Sequence, residues 1–123
     1  LHISASGKTI LSTLSDDAVR ELVDQHGLEA YTENTITDEP TLMEELDRIR
    51  DRGYAVNDEE EIIGYSAVAA PIQTGSDNVV GSISVAGPSR FFDSEESIQE
   101  LAEQVMTAAN MTQVNINMST LPE

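Results

Sequence analysis

Residues 52–88 read RGYAVNDEEEIIGYSAVAAPIQTGSDNVVGSISVAGP, and this stretch decides the fold. Residues 63–72 (IGYSAVAAPI) and 79–87 (VVGSISVAG) are small-residue and β-branched runs on either side of the turn signal QTGSDN. They are predicted to pair as a β-hairpin, the first strand ending at Pro71 because proline has no N–H for a ladder. A shorter strand is predicted at 53–56 (GYAV), followed by an acidic connection, NDEEE, at 57–61. Side chains alternate across a strand, so Ser82 and Ser84 share one face while Ile83 and Val85 take the other. A serine on a covered sheet face needs a hydrogen-bond partner, because an unsatisfied one costs about 1–3 kcal/mol. Backbone, water or a small polar ligand can each provide that partner.

Helices are expected on both sides of this region in the chain. Residues 4–14 (SASGKTILSTL) read as a short helix with Ile10, Leu11 and Leu14 inward. Ser15 is an N-cap signal for 16–26, with Asp16 and Asp17 in the positive first turn, Gly27 as the stop and Ala18, Val19, Leu22 and Val23 inward. After a polar loop, Thr37 or Asp38 caps a third helix in which Leu42, Leu46 and Ile49 repeat at helical spacing and Pro40 is tolerated in the first turn. Gly53 ends it. Arg48, Arg50 and Arg52 cluster near its C-terminus, where capping and salt-bridging account for them better than anion binding. Asp93 with Glu96 reads as a capping box for a last helix carrying Ile98, Leu101, Ala102, Val105 and Ala109 on one side. From residue 114 the periodicity fades and the tail is expected to fray.

The resulting order, three helices, three strands and a helix, predicts an α+β domain with an antiparallel sheet covered on one face by helices. At 123 residues there is room for one such domain. Three strands fall short of the usual 4 to 6. With Leu1 instead of methionine at the start, the chain is expected to be a piece of a longer polypeptide, the further strands lying upstream or coming from another chain.

Composition restricts the function. Six Lys+Arg against 23 Asp+Glu give a formal charge of −17, and Lys8 is the sole lysine. Such a surface repels DNA, RNA and anionic lipid. Its self-repulsion is screened where the Debye length falls to about 3 Å, at 1 M salt, so a halophilic source is expected. The chain has no cysteine, which removes disulfides, thiolate nucleophiles and Cys-based metal sites. It contains no apolar run long enough for a membrane span and no signal-peptide pattern, so a soluble, cytoplasmic protein with no membrane partner is expected.

Catalytic patterns are missing as well. His2 and His26 stand too far apart in sequence for metal-ligand spacing, and no G-x-S-x-G elbow occurs. The carboxylates at 58–61 are contiguous, unlike the alternating ligands of a calcium loop, and read as a solvated turn. A strand ending at Asn57 could, however, aim that one amide into a cavity. Gly7, Lys8 and Thr9 match the end of a phosphate-binding G-x-x-x-x-G-K-[ST] loop, but His2 holds the place of its first glycine. No catalytic residue, metal site, cofactor or enzymatic activity is expected.

Three stretches taken together, HISASGK at 2–8, RGYAVNDEEEIIG at 52–64 with the following VAAPI, and GSISVAGP at 81–88, resemble the C-terminal effector-binding domain of the IclR family of transcription regulators. The resemblance runs from Leu1 to about Met111. It implies a GAF-like (profilin-like) antiparallel sheet covered by helices, six-stranded in the complete domain, and a winged helix-turn-helix DNA-binding domain that this chain does not include. It also implies a small organic-acid effector, assembly as a homodimer or homotetramer, and contact with operator DNA only through that absent N-terminal domain.

Carried over by position, Ala5 and Ser6 would donate backbone N–H groups to a ligand carboxylate, the anion-at-a-helix-start chemistry that phosphate loops share. Asn57 would stand at a polar ligand contact, Ser84 would offer its hydroxyl, and Ala67 and Ala86 would line the same pocket. Where relatives often have a cysteine, a second serine and an aspartate, this chain has Ala67, Ala86 and Asn57, so the resemblance implies a more apolar pocket and a weakly polar organic acid. The alternative reading is an oligomerisation module whose pocket is vestigial.

Overall fold

The computed structural model describes residues 2, 4–60, 62–73 and 79–119. Its elements are α1 (Ala5–Ser12), α2 (Asp16–His26), α3 (Glu39–Arg52), β1 (Ala55–Asp58), β2 (Tyr65–Gln73), β3 (Val79–Pro88), a short 3-10 helix (Ser89–Phe92) and α4 (Glu95–Ser119). The fold is α+β in the predicted order. The turn read between β2 and β3 lies, at 74–78, outside the described residues.

Local chemistry explains most boundaries. Ser4 Oγ accepts from Gly7 N at 2.9 Å, Ser15 Oγ from Ala18 N at 3.2 Å, and Asp38 from Thr41 N at 2.9 Å, each satisfying an orphan donor of the helix it starts. Gly53 ends α3 at φ 86°, a left-handed conformation that only a residue without Cβ adopts freely. The cap of α4 differs from expectation. Ser94 holds it, its Oγ accepting from Ser97 N at 3.1 Å, while Asp93 has helical backbone angles (φ −81°, ψ −4°) and closes the 3-10 helix. An N-cap needs extended backbone, so the Asp93–Glu96 box does not form. The expected frayed tail also differs, since α4 continues through 114–119 and Ile116 packs against the core.

The sheet order is β1-β2-β3, antiparallel throughout, with Asn57 opposite Ala67 and Ala67 opposite Ala86 in one row. Pro71 does not end β2, which runs on to Gln73. β1 pairs with β2 only as far as Ala69, so a proline two residues beyond removes no bond from that ladder.

Both faces of the sheet are covered, where one was expected. On the first, Ala55 and Ala69 pack with Ala5 and Leu11 of α1, Val19 of α2 and Leu42, Leu46 and Ile49 of α3. On the second, Val68, Ala70 and Ile72 pack with Ala102, Val105 and Ala109 of α4, with Ile83 and Val85 alongside. Period-two alternation loads that second face with β-branched side chains, which stabilise the fold only when α4 takes them out of water.

The arginines behave as expected. Arg50 donates to Ser12 O at 2.7 Å and Leu14 O at 3.1 Å, which ties α3 to the end of α1, and it pairs with Asp16 and Asp47. Arg48 and Arg52 both pair with Glu45, at 2.8 and 3.2 Å, and Arg52 lies over the Tyr54 ring.

Candidate ligand-binding site

The first face of the sheet carries alanine and serine where the second carries valine and isoleucine, and α1 does not fill the space this leaves. A cavity of about 290 Å³ opens there, between the start of α1 and the row Asn57, Ala67, Ala86, with Ser84 beside it. For scale, a cavity of about 150 Å³ holds benzene. Ile62 and Tyr65, at the turn into β2, form an apolar side wall.

The polar groups at the cavity are uncharged and include several that can donate. Ser4 uses its hydroxyl on Gly7 N and its carbonyl on Lys8 N, so α1 keeps the N–H groups of Ala5 and Ser6 without an acceptor among the described residues. Both residues line the cavity at the positive end of the helix. Asn57 is buried at the end of β1, and its Oδ1 accepts from Glu60 N at 2.8 Å. The carbonyl end is thereby occupied, which leaves the Nδ2 amide hydrogens as the end of Asn57 that can serve a ligand. Ser84 adds a hydroxyl, and no charged side chain lines the cavity among the described residues.

Behind Asn57, whose Oδ1 is held by Glu60 N–H, is a buried ion pair. Lys8 is 0% exposed; its ammonium donates to Val56 O and lies 3.0 Å from Glu60 Oε1 and 2.9 Å from Oε2, with Glu45 4.0 Å away. Only Oε1 meets the hydrogen-bonding direction, so Oε2 is held by charge alone. Burial pushes the Glu60 carboxyl above the ordinary glutamate range; the Lys8 charge and hydrogen bond pull it back, while Glu45 and Asp58 add to the rise. Lys8 is thus unavailable to a phosphate, and the opening segment is no nucleotide loop.

Over residues 1–114 the sequence matches the family described as Bacterial transcriptional regulator IclR C-terminal. The chain belongs to this family. It is 33% identical over 117 residues to the HTH-type transcriptional repressor AllR of Escherichia coli K12, covering 90% of this chain and 43% of that protein. It is 36% identical over 116 residues to the probable HTH-type transcriptional regulator ArcR of Halobacterium salinarum, covering 94% and 44%. The chain therefore spans less than half the length of these curated relatives. Among solved structures, the IclR of Thermotoga maritima superimposes with TM-score 0.88 at 34% identity, over 94% of this chain and 47% of that one. The inducer-binding domain of a PobR double mutant from Acinetobacter, solved with 3-hydroxybenzoic acid, gives TM-score 0.84 at 27% identity, over 91% and 64%. These relatives are transcription regulators, not enzymes.

In this IclR-family domain the six residues picked from the sequence, Ala5, Ser6, Asn57, Ala67, Ser84 and Ala86, come together around one cavity. Tyr65 and Ile62 also line it and were not anticipated. Tyr65 was legible, being two residues before Ala67 and so on the same face; nothing in the sequence marks Ile62. The reading of 58–61 as a solvated turn fails at Glu60, which is buried against Lys8. One signal for that pair was available: Lys8 is three residues before the inward Leu11, on the same side of α1. No described helix is long and apolar enough to cross a membrane, and no described cluster of histidines and carboxylates could hold a metal ion.

Proposed function

We propose that this chain is the effector-sensing domain of an IclR-family transcription regulator and binds a small, weakly polar organic acid in the α1 cavity. The carboxylate sits at the free N–H groups of Ala5 and Ser6, a second acceptor takes the Asn57 amide, and Ser84 adds a hydroxyl. Ala67 and Ala86 receive the apolar part. The observation that supports this reading is the convergence of neutral donors, without a charged side chain among the described residues, on a cavity of one-ring size. Ligand binding changes the arrangement of a homodimer or homotetramer, and the winged helix-turn-helix part of the full protein carries that change to operator DNA in the cytoplasm. By linkage the acid must bind the two arrangements with different affinity.

A thermal-shift panel of keto, hydroxy and aromatic acids tests the proposal. An acid at a hundred times its dissociation constant stabilises the fold by about 2.7 kcal/mol. Asn57→Ala and Ser84→Ala are expected to weaken the hit at least tenfold; unchanged affinity in both would remove the site assignment. A flat panel from folded protein would favour the oligomerisation module with a vestigial pocket.

The charge of −17 supports a salt-rich cytoplasm as the working environment. The same melt should move to higher temperature between dilute buffer and molar KCl, and an unchanged midpoint would refute that part.

A further inference from the structure

The two walls of the cavity come from distant parts of the chain. α1 supplies the free N–H groups, and the end of β1 supplies Asn57, some fifty residues later. One fully buried side chain ties these walls together by hydrogen bonds. Lys8, one turn into α1, reaches the Val56 carbonyl on β1 and both carboxylate oxygens of Glu60 in the turn after it. Glu60 is also the residue whose N–H holds Asn57 Oδ1, at 2.8 Å.

The turn has to be held in this form. Glu59 has φ 56°, in the left-handed region that a residue with a Cβ adopts at a cost. That conformation bends the chain back so that Glu60 N–H faces the Asn57 side chain. The Thr32 hydroxyl donates to Glu59 O at 2.6 Å, and the Thr35 hydroxyl donates to Glu60 O. The carboxylate of Glu60 is left for Lys8 to hold. Removing either partner of such a pair would leave a buried charge uncompensated.

We propose that the Lys8–Glu60 ion pair is a positioning strut of the effector site, fixing the Asn57 amide donor-inward opposite the free N–H groups of α1. The inference rests on the effector reading above and adds residues that do not touch the ligand. Affinity for an acid then depends on a pair that does not itself line the cavity. A pair that merely fills the core would matter to stability alone.

The discriminating variant is Lys8→Met/Glu60→Met, because apolar replacement of a buried pair with similar volume can be close to neutral for stability. Two readouts are taken. Hydrogen exchange at the residue 60 amide, without ligand, should accelerate at least tenfold while Ala102 and Val105 amides in α4 keep their wild-type rates. Calorimetric titration with 3-hydroxybenzoate and with pyruvate should show at least tenfold weaker binding of whichever acid the wild type binds. Glu60→Gln, which keeps an acceptor for Lys8, should bind to within about threefold of wild type, whereas Lys8→Met, which removes the strut and lets the buried Glu60 take a proton, should weaken binding at least tenfold and serves as the test if the double variant does not fold. Unchanged exchange at residue 60, or wild-type affinity in the double variant, would overturn the strut. Failure of the wild type to bind either acid would count against the effector reading for those acids, and the exchange measurement then decides the strut by itself.

Discussion

The two faces of the sheet are built from the same three strands and do opposite things. Toward α4 the strands present Val68, Ala70, Ile72, Ile83 and Val85, which interlock with Ala102, Val105 and Ala109. Toward α1 they present Ala55, Asn57, Ala67, Ser84 and Ala86, which are too small to reach the helix along its whole length. One face is packed throughout, while the other packs at Ala55 and Ala69 and keeps a space open beside them. Close packing makes a void costly, so a cavity persists only where the rest of the core supports it. Here that support comes from α3, whose Leu42, Leu46 and Ile49 lie fully buried next to the hollow region.

The largest expected effect comes from that support. Leu46→Ala should lower stability by about 2–5 kcal/mol, read from the denaturant midpoint. A loss under 1 kcal/mol would mean that α3 packs more loosely than its burial indicates. Next is Val68→Ala on the α4 face, where two methyl groups at roughly 0.8 kcal/mol each plus a small cavity cost about 2 kcal/mol, with ligand affinity unchanged. Its chain neighbour gives the reverse pattern. Ala67→Val points into the hollow face, so stability should stay within about 1 kcal/mol of wild type while the affinity of a thermal-shift hit falls tenfold or more, about 1.4 kcal/mol. If Val68→Ala weakened binding, or Ala67→Val did not, the division of labour between the faces would be wrong.

The smallest effect sharpens the comparison at Glu60, the buried carboxyl whose N–H holds Asn57 of the hollow face. Burial raises its folded-state pKa above the ordinary value of 4.5, so the native state holds this proton more readily than the unfolded chain does. Its contribution to stability is complete below 4.5 and is lost as pH rises through the higher folded value. Glu60→Gln is neutral at every pH. Urea denaturation across a pH series should show the stability of this variant, relative to wild type, increasing as pH rises from 4.5 and then levelling off. A difference that shrinks with pH would show that Lys8, rather than burial, dominates, with Glu45 and Asp58 as the other charges facing the group.

Much of this was legible in short windows of sequence. The helix cap at Ser15, the cap at 37 or 38, which the structure gives to Asp38, and the stop at Gly53 depend on residues within a turn of one another, so local chemistry decides them. Faces of strands were legible too, since a period of two assigns Ala67 and Val68 to opposite sides whatever packs there. The misreadings share another origin. Asp93 was passed over for Ser94 because the preceding 3-10 helix fixed its backbone, and Pro71 remained inside β2 because β1 ends before it. α4 extended past residue 114, where Ile116 found a core to join.

The sequence by itself determined the element order, through local propensity and periodicity, and the net charge, through composition; the residues lining the cavity were legible only through the resemblance to the IclR family. The tertiary structure alone decided that the sole lysine is buried against Glu60 and that Glu60 N–H takes up the Asn57 side-chain oxygen. The first joins groups some fifty residues apart, and the second rests on a turn that this pair and distant threonines hold, in a buried region where an unpaired charge or donor is costly and its partner is set by the fold.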